Sequence, residues 1–143
     1  MSEAPIDVVR RVVAADNARD AAAYRALLWD DYCAEVHGAL SVSSGDAEAA
    51  GLARYWEGFP DGRVVEQAIF AAGEVVALRY RLVGTNTGAL QGRPATGRRV
   101  DVAGCTLLEV VAGRVKRTWR YLDSLAFLQQ LGWLGASSEP EKR

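Results

Sequence analysis

At Pro60-Asp61-Gly62 the chain changes its hydrophobic period, and this change constrains the fold more than any other feature. Before it, apolar residues recur at helical spacing: Ile6, Val9 and Val13 lie on one stripe, and Leu52, Tyr55, Trp56 and Phe59 follow at i, i+3, i+4 and i+7. Asp20 stands where an N-cap would precede Tyr24, Leu27 and Leu28, and Ser43, Ser44 and Gly45 offer a cap to a third helix. Between these helices, Tyr32 to His37 reads as a short strand. After Gly62, segments rich in Val, Leu, Thr and aromatics are punctuated at Ala72-Gly73, Gly84 to Gly97 and Ala112-Gly113, which predicts four strands in two hairpins. A short helix, Ser124 to Leu131, is stopped by Gly132. Helices, then a run of antiparallel strands, then one short helix predict an α+β domain in which a curved sheet wraps the helices.

The 143 residues fit a single domain, expected over 1–135 with a loose tail at 136–143. Half of them are apolar and 24% charged, enough apolar material for a real core. Seventeen basic against 18 acidic residues leave no strong field for a polyphosphate, which argues against nucleic acid as a ligand. Cys33, Cys105 and the single histidine, His37, are too few for a structural zinc site, so no metal is expected. No apolar run reaches the ~20 residues that span a bilayer, and MSEAPID lacks the regions of a signal peptide. The expectation is a cytoplasmic protein with free thiols and no membrane partner.

The last hairpin can be paired residue by residue. If Ala112-Gly113 is a two-residue turn, Val110 faces Val115, Leu108 faces Arg117, Thr106 faces Trp119, Gly104 faces Tyr121 and Val102 faces Asp123. The other face would pair Glu109 with Lys116, a cross-strand ion pair at home in water. Strict alternation therefore points Trp119, Tyr121 and Asp123 inward. By the same counting Glu66 would face Arg79 in an outward salt bridge, opposite a face carrying Val65, Ile69, Leu78 and Tyr80. Outward parity also removes Glu66 and Asp101 from the candidate interior acids.

Gly84-Thr85-Asn86-Thr87-Gly88, Gly92-Arg93-Pro94-Ala95-Thr96-Gly97-Arg98-Arg99-Val100, Gly113-Arg114-Val115, Trp119 to Asp123 and Gln129-Gln130-Leu131-Gly132 together resemble the SnoaL-like polyketide cyclases. Phe59-Pro60-Asp61 extends the resemblance upstream, so that it covers nearly the whole chain. The resemblance implies the cone-shaped α+β barrel shared with nuclear transport factor 2, scytalone dehydratase, ketosteroid isomerase and limonene epoxide hydrolase. It also implies an enzyme of secondary metabolism, such as antibiotic biosynthesis, that closes a ring in a polyketide-derived intermediate without metal or organic cofactor. By resemblance Asp123 occupies the place of the catalytic carboxylate. Where many members carry histidine in a Gly-Thr-His-Thr-Gly phrase, this chain has Asn86, whose amide supplies no proton at neutral pH.

These readings give a set of candidates. Asp123 would act as the base of an aldol closure, since burial among apolar groups moves a carboxylate toward the working pH. The competing role for Asp123 is a cap on the last helix. Asn86 would orient a substrate carbonyl, or simply end a strand. His37 is the natural acid if Asn86 cannot be one. Trp119, Tyr121, Trp56, Tyr80 and Gly104 would shape a pocket for a hydrophobic small molecule. A cycloaddition guided by that pocket, a hydroxylase or epoxide-opening enzyme of the same family, and a non-catalytic ligand carrier stand as alternatives. The partly apolar outer face of Ala103, Cys105, Leu107 and Leu122 predicts a homodimer.

Overall fold

Side-chain caps begin three of the four helices in the computed structural model, which describes residues 3–134. Helix α1 (Pro5–Asn17) starts on a proline, which suits the first turn because its missing N–H would go unused there. The Asp20 carboxylate accepts from the Ala23 amide to open α2 (Ala21–Ala26), and the Ser44 hydroxyl accepts from Ala47 to open α3 (Gly45–Gly58). Asp123 caps α4 (Ser124–Leu131), whose end is the left-handed Gly132. The tail at 136–143 lies outside the described residues.

Six strands form one sheet: β1 (Leu28–Val36), β2 (Ala39–Val42), β3 (Arg63–Ala72), β4 (Val75–Thr85), β5 (Arg99–Val111) and β6 (Arg114–Leu122). Their order is β2-β1-β6-β5-β4-β3, with β1 parallel to β6 and every other pair antiparallel. The fold is the expected α+β cone, with a curved sheet that stays open at β2 and β3. Two local expectations change. Helix α2 stops at Ala26, so Leu28 opens a strand that is longer than Tyr32 to His37, and β2 joins it as an edge strand. Val8, Val9 and Val12 of α1 are buried in one cluster with Val76, Leu78, Leu108, Val110 and Val115 of the sheet. Each such side chain contributes roughly 1.5–3 kcal/mol on full burial.

The hairpin of β5 and β6 holds the main correction. Val110 does face Val115 across Ala112-Gly113, and Val102, Gly104, Thr106, Leu108 and Val110 do form the buried face of β5. Lys116, however, is an extra residue: Glu109 pairs with Arg117, Leu108 with Thr118, Leu107 with Trp119, Thr106 with Arg120 and Gly104 with Leu122. One inserted residue reverses the parity of everything after it. Trp119 and Tyr121 therefore lie on the outer face, and Thr118, Arg120 and Leu122 take the inner positions. Lys116 is paired with Asp31 rather than Glu109. A second irregularity, between Glu66 and Ala68, sets Arg79 opposite Ala68 and leaves Val65 exposed. Glu66 is exposed as expected, but its partner is Arg10 of α1, at 3.0 Å. Asp101 is likewise exposed and bonded to Arg81.

Candidate active site

The inner face of the sheet and the helices α1 to α3 enclose a cavity of about 660 Å³. Its walls are largely aliphatic, from residues such as Val9, Val12, Leu52, Leu78 and Leu108, and its polar groups converge from helices and strands alike. A smaller space of about 320 Å³ adjoins it, sharing Tyr55, Leu82, Leu90, Gln91 and Leu122 and lined further by Phe127 and Trp133. Apolar walls with a few convergent polar groups are what a small-molecule site requires.

The first polar group is an ion pair. Because Lys116 shifts the strand, Arg120 points inward and its Nη2 donates to Glu48 Oε2 at 2.9 Å. The Tyr24 hydroxyl donates to the same oxygen, also at 2.9 Å. Glu48 is buried, and such a charge is tolerable only when paired and hydrogen-bonded. Burial opposes the charge on Arg120, yet the Glu48 carboxylate and the neighbouring Tyr32 and Tyr24 outweigh it and hold the guanidinium above its ordinary pKa. Tyr24 is pushed well above the usual tyrosine range by burial and then by Glu48, so its hydroxyl remains a donor.

The second is Asp16, near the end of α1. Its Oδ1 accepts from Trp56 Nε1 at 2.9 Å. Burial raises its carboxyl above the ordinary value; the Trp56 bond and the charges of Arg19 and Arg120 pull the other way, and Glu48 adds to the rise. A partly buried acid in an apolar cavity, with one oxygen fixed by a hydrogen bond, is well placed to accept a proton from carbon.

The candidates named from sequence divide into two groups. Trp56 and Tyr80 line the cavity, and Gly104 lies under Tyr80, where an added Cβ would come within 2.5 Å of the phenol ring. Asp123 is exposed, its carboxylate accepting from the Ala126 amide at 3.0 Å, because the Lys116 bulge turns the end of β6 outward. Tyr121 is 47% exposed, and Trp119 lies on the outer face with the Arg117 guanidinium 5.7 Å from its ring. His37 is exposed in the β1–β2 turn with a φ of 51°, where its Nε2 lies 3.1 Å from the Leu122 amide, which donates to it. Asn86 is fully buried away from the cavity with its amide saturated. Its nitrogen donates to the carbonyls of Gly58 and Gly88, and its oxygen accepts from the amide and hydroxyl of Thr96.

Sequence reasoning missed Asp16, Glu48, Tyr24 and Arg120 as site residues. The two acids carried a signal. Asp16 continues the Val9–Val13 stripe by three residues, and Glu48 precedes Leu52 by four, so each carboxylate sits in phase with the apolar face of its helix.

With this geometry in place, comparison with known proteins is decisive at the family level. The SnoaL-like polyketide cyclase family model matches residues 6–131. The chain belongs to this family. A protein from Jannaschia sp. CCS1, proposed to be a SnoaL-like polyketide cyclase, is similar in structure with a TM-score of 0.80 at 26% identity, over 92% of this chain and 96% of that one. IdmH from Streptomyces antibioticus, proposed to be a polyketide cyclase, gives 0.77 at 25% identity over 91% and 99%. AclR from Streptomyces galilaeus, proposed to be a hydroxylase, gives 0.80 at 25% identity over 97% and 84%. No curated protein matches the sequence. Among the described residues no helix is long and apolar enough to cross a membrane.

Proposed function

We propose that this SnoaL-like protein is a cofactor-independent enzyme that closes a ring in a hydrophobic, polyketide-derived intermediate by an aldol-type reaction. The observation that carries the reading is Asp16: a carboxyl raised by burial, oriented by Trp56, in an apolar cavity large enough for several fused rings. The Asp16 carboxylate takes a proton from the carbon beside a substrate carbonyl. The C–H electron pair passes into an enolate, whose carbon attacks a second carbonyl of the same molecule. A C–C bond forms, the resulting alkoxide recovers the proton from Asp16, and no electrons are gained or lost overall. Folding the substrate so that the two carbons meet is the cavity's share, and orientation of this kind is worth up to about 7–11 kcal/mol of barrier. Arg120 lines the same cavity, held there by its ion pair with Glu48, and its guanidinium is the cationic donor on offer to the developing oxyanion. Asp123, the acid that the family resemblance implies, is engaged in capping α4 and is proposed as a structural group.

The test compares metabolites of producer cells with and without the gene, then supplies the accumulating open-ring compound to purified protein. Turnover by wild type, lost in Asp16→Asn and kept in Asp123→Asn, supports the reading. Turnover kept in Asp16→Asn and lost in Asp123→Asn overturns it in favour of the family-implied base. Binding without turnover by the wild type makes the protein a carrier.

A further inference from the structure

Helix α3 borders the cavity with two adjacent stripes. Glu48, Leu52 and Tyr55 form one, and Ala47, Gly51 and Arg54, each one position earlier, form the other. Ala47 and Arg54 line the cavity and are also exposed, as are Ser41 of β2 and Gln91 of the β4–β5 connection, so these residues mark its mouth. Arg54 bends back along its stripe. Its Nη2 lies 3.7 Å from where a Cβ on Gly51 would stand, so the guanidinium rests over the bare glycine one turn earlier. Arg10, Arg25, Arg81, Lys116 and Arg120 each have a carboxylate oxygen within 3.0 Å, whereas Arg54 makes no ion pair among the described residues. Arg54 and Arg120 are the cations of the cavity wall, and Arg120 is committed to Glu48. A second full carboxylate beside Arg120 would meet Glu48 and the acid Asp16 inside the same space. At the mouth a negative charge finds an uncommitted cation and keeps part of its hydration.

From this arrangement we infer that Arg54 is a specificity-determining residue, and that the substrate is an amphipathic anion whose apolar body fills the cavity while its carboxylate stays at the mouth on the Arg54 guanidinium. The inference rests on the cavity being the substrate site, as proposed above, and adds the substrate's charge and the end at which that charge is held. A planar guanidinium can meet a carboxylate through a pair of parallel N–H···O bonds, so it orients the substrate as well as attracting it. The net charge of −1 provides no general attraction for anions, which leaves the selection to this local contact.

The test uses anthracene-2-carboxylate and anthracene-2-carboxamide, which share one frame and nearly one shape and differ in charge at neutral pH. Their dissociation constants are measured by quenching of tryptophan fluorescence on wild type and on Arg54→Gln. The expected result is that Arg54→Gln weakens binding of the carboxylate by about five- to tenfold and leaves binding of the amide within about twofold. Added salt should weaken the carboxylate on wild type and have little effect on it in Arg54→Gln. Equal losses for the two probes, or no loss of either, overturn the assignment while leaving the cavity as the ligand site. Failure of the wild type to bind either probe overturns the cavity reading as well. With the open-ring compound as substrate, Arg54→Gln should raise KM with kcat little changed, because a contact at the mouth is the same in the ground state and the transition state. A fall in kcat at unchanged KM overturns the binding role.

Discussion

Asp16 is a group whose effects on stability and on catalysis have opposite signs. Burial raises its folded pKa above the unfolded one, so over the interval between them the native state binds more protons than the unfolded chain. Stability contributed by the neutral carboxyl is present at low pH and lost as pH rises through the folded pKa. Asparagine cannot ionise, and its side-chain oxygen still accepts from Trp56. Asp16→Asn should therefore melt at a higher temperature than wild type at pH 7, with the gap closing toward pH 3; a lower Tm at pH 7 would contradict this. Turnover needs the carboxylate, so the same variant should lose about 10²–10⁴-fold in kcat, and the acid limb of the wild-type pH profile should lie above the ordinary aspartate value. Asn86 is the opposite kind of residue. All four of its side-chain hydrogen bonds go to the protein, joining the end of α3 to the segment that carries Thr96. Asn86→Ala removes all four bonds at a fully buried position and should cost about 2–4 kcal/mol in urea unfolding while leaving the pH profile of the remaining folded enzyme unchanged. Both assignments turn on tertiary context. An acid in phase with an apolar helical stripe was visible in the sequence, but whether the stripe faced a packed core or an open cavity was not.

Among the elements, β6 shows most clearly what periodicity can and cannot convey. The turn at Ala112-Gly113, the buried face of β5, three of the caps and the stop at Gly132 were all legible, because each depends on a few adjacent residues. The bulge at Lys116 was not. Arg114 to Arg117 contains no glycine or proline to mark it, and the inner residues that follow, Thr118 and Arg120, are polar and line the cavity. A cavity with polar lining thus inverts the apolar-inside rule and makes the outer face, with Trp119 and Tyr121, look like the core side. The bulge rests on position rather than on the lysine's chemistry. Its ion pair with Asp31 is exposed, so Lys116→Ala should change stability by no more than ~1 kcal/mol. Deleting Lys116 restores strict alternation, drives Trp119 and Tyr121 into the cavity and strips Glu48 of Arg120. Breaking a buried pair alone costs about 3–5 kcal/mol, a large part of a typical ~5–15 kcal/mol total. The deletion should abolish the cooperative thermal transition seen by circular dichroism; a wild-type-like melt would show that β6 pairs in another register.

At the scale of the whole molecule, the same bulge determines what the sheet offers to a partner. Across the outer face, Phe70 pairs with Ala77, Ala77 with Leu107 and Leu107 with Trp119, which makes an apolar row running over four strands. Phe70 is 62% exposed, and Tyr121 and Cys105 extend the surface beside it. Leu122, counted in this patch from the sequence, is an inner residue, and Trp119 and Tyr121 enlarge the patch in its place. The net charge of −1 sets up little repulsion between copies. A second copy of the chain, related by a two-fold axis, is the occupant proposed for this face. Light scattering coupled to size exclusion should give twice the monomer mass for wild type. Leu107→Glu lies in the middle of the row and on the face away from the cavity, so it should give the monomer mass with unchanged turnover. A wild-type monomer at micromolar concentration would overturn the proposal. A variant that stays dimeric would move the interface off this face, and a variant that loses both dimer and ligand binding would mean that pairing of the sheets supports the cavity from outside.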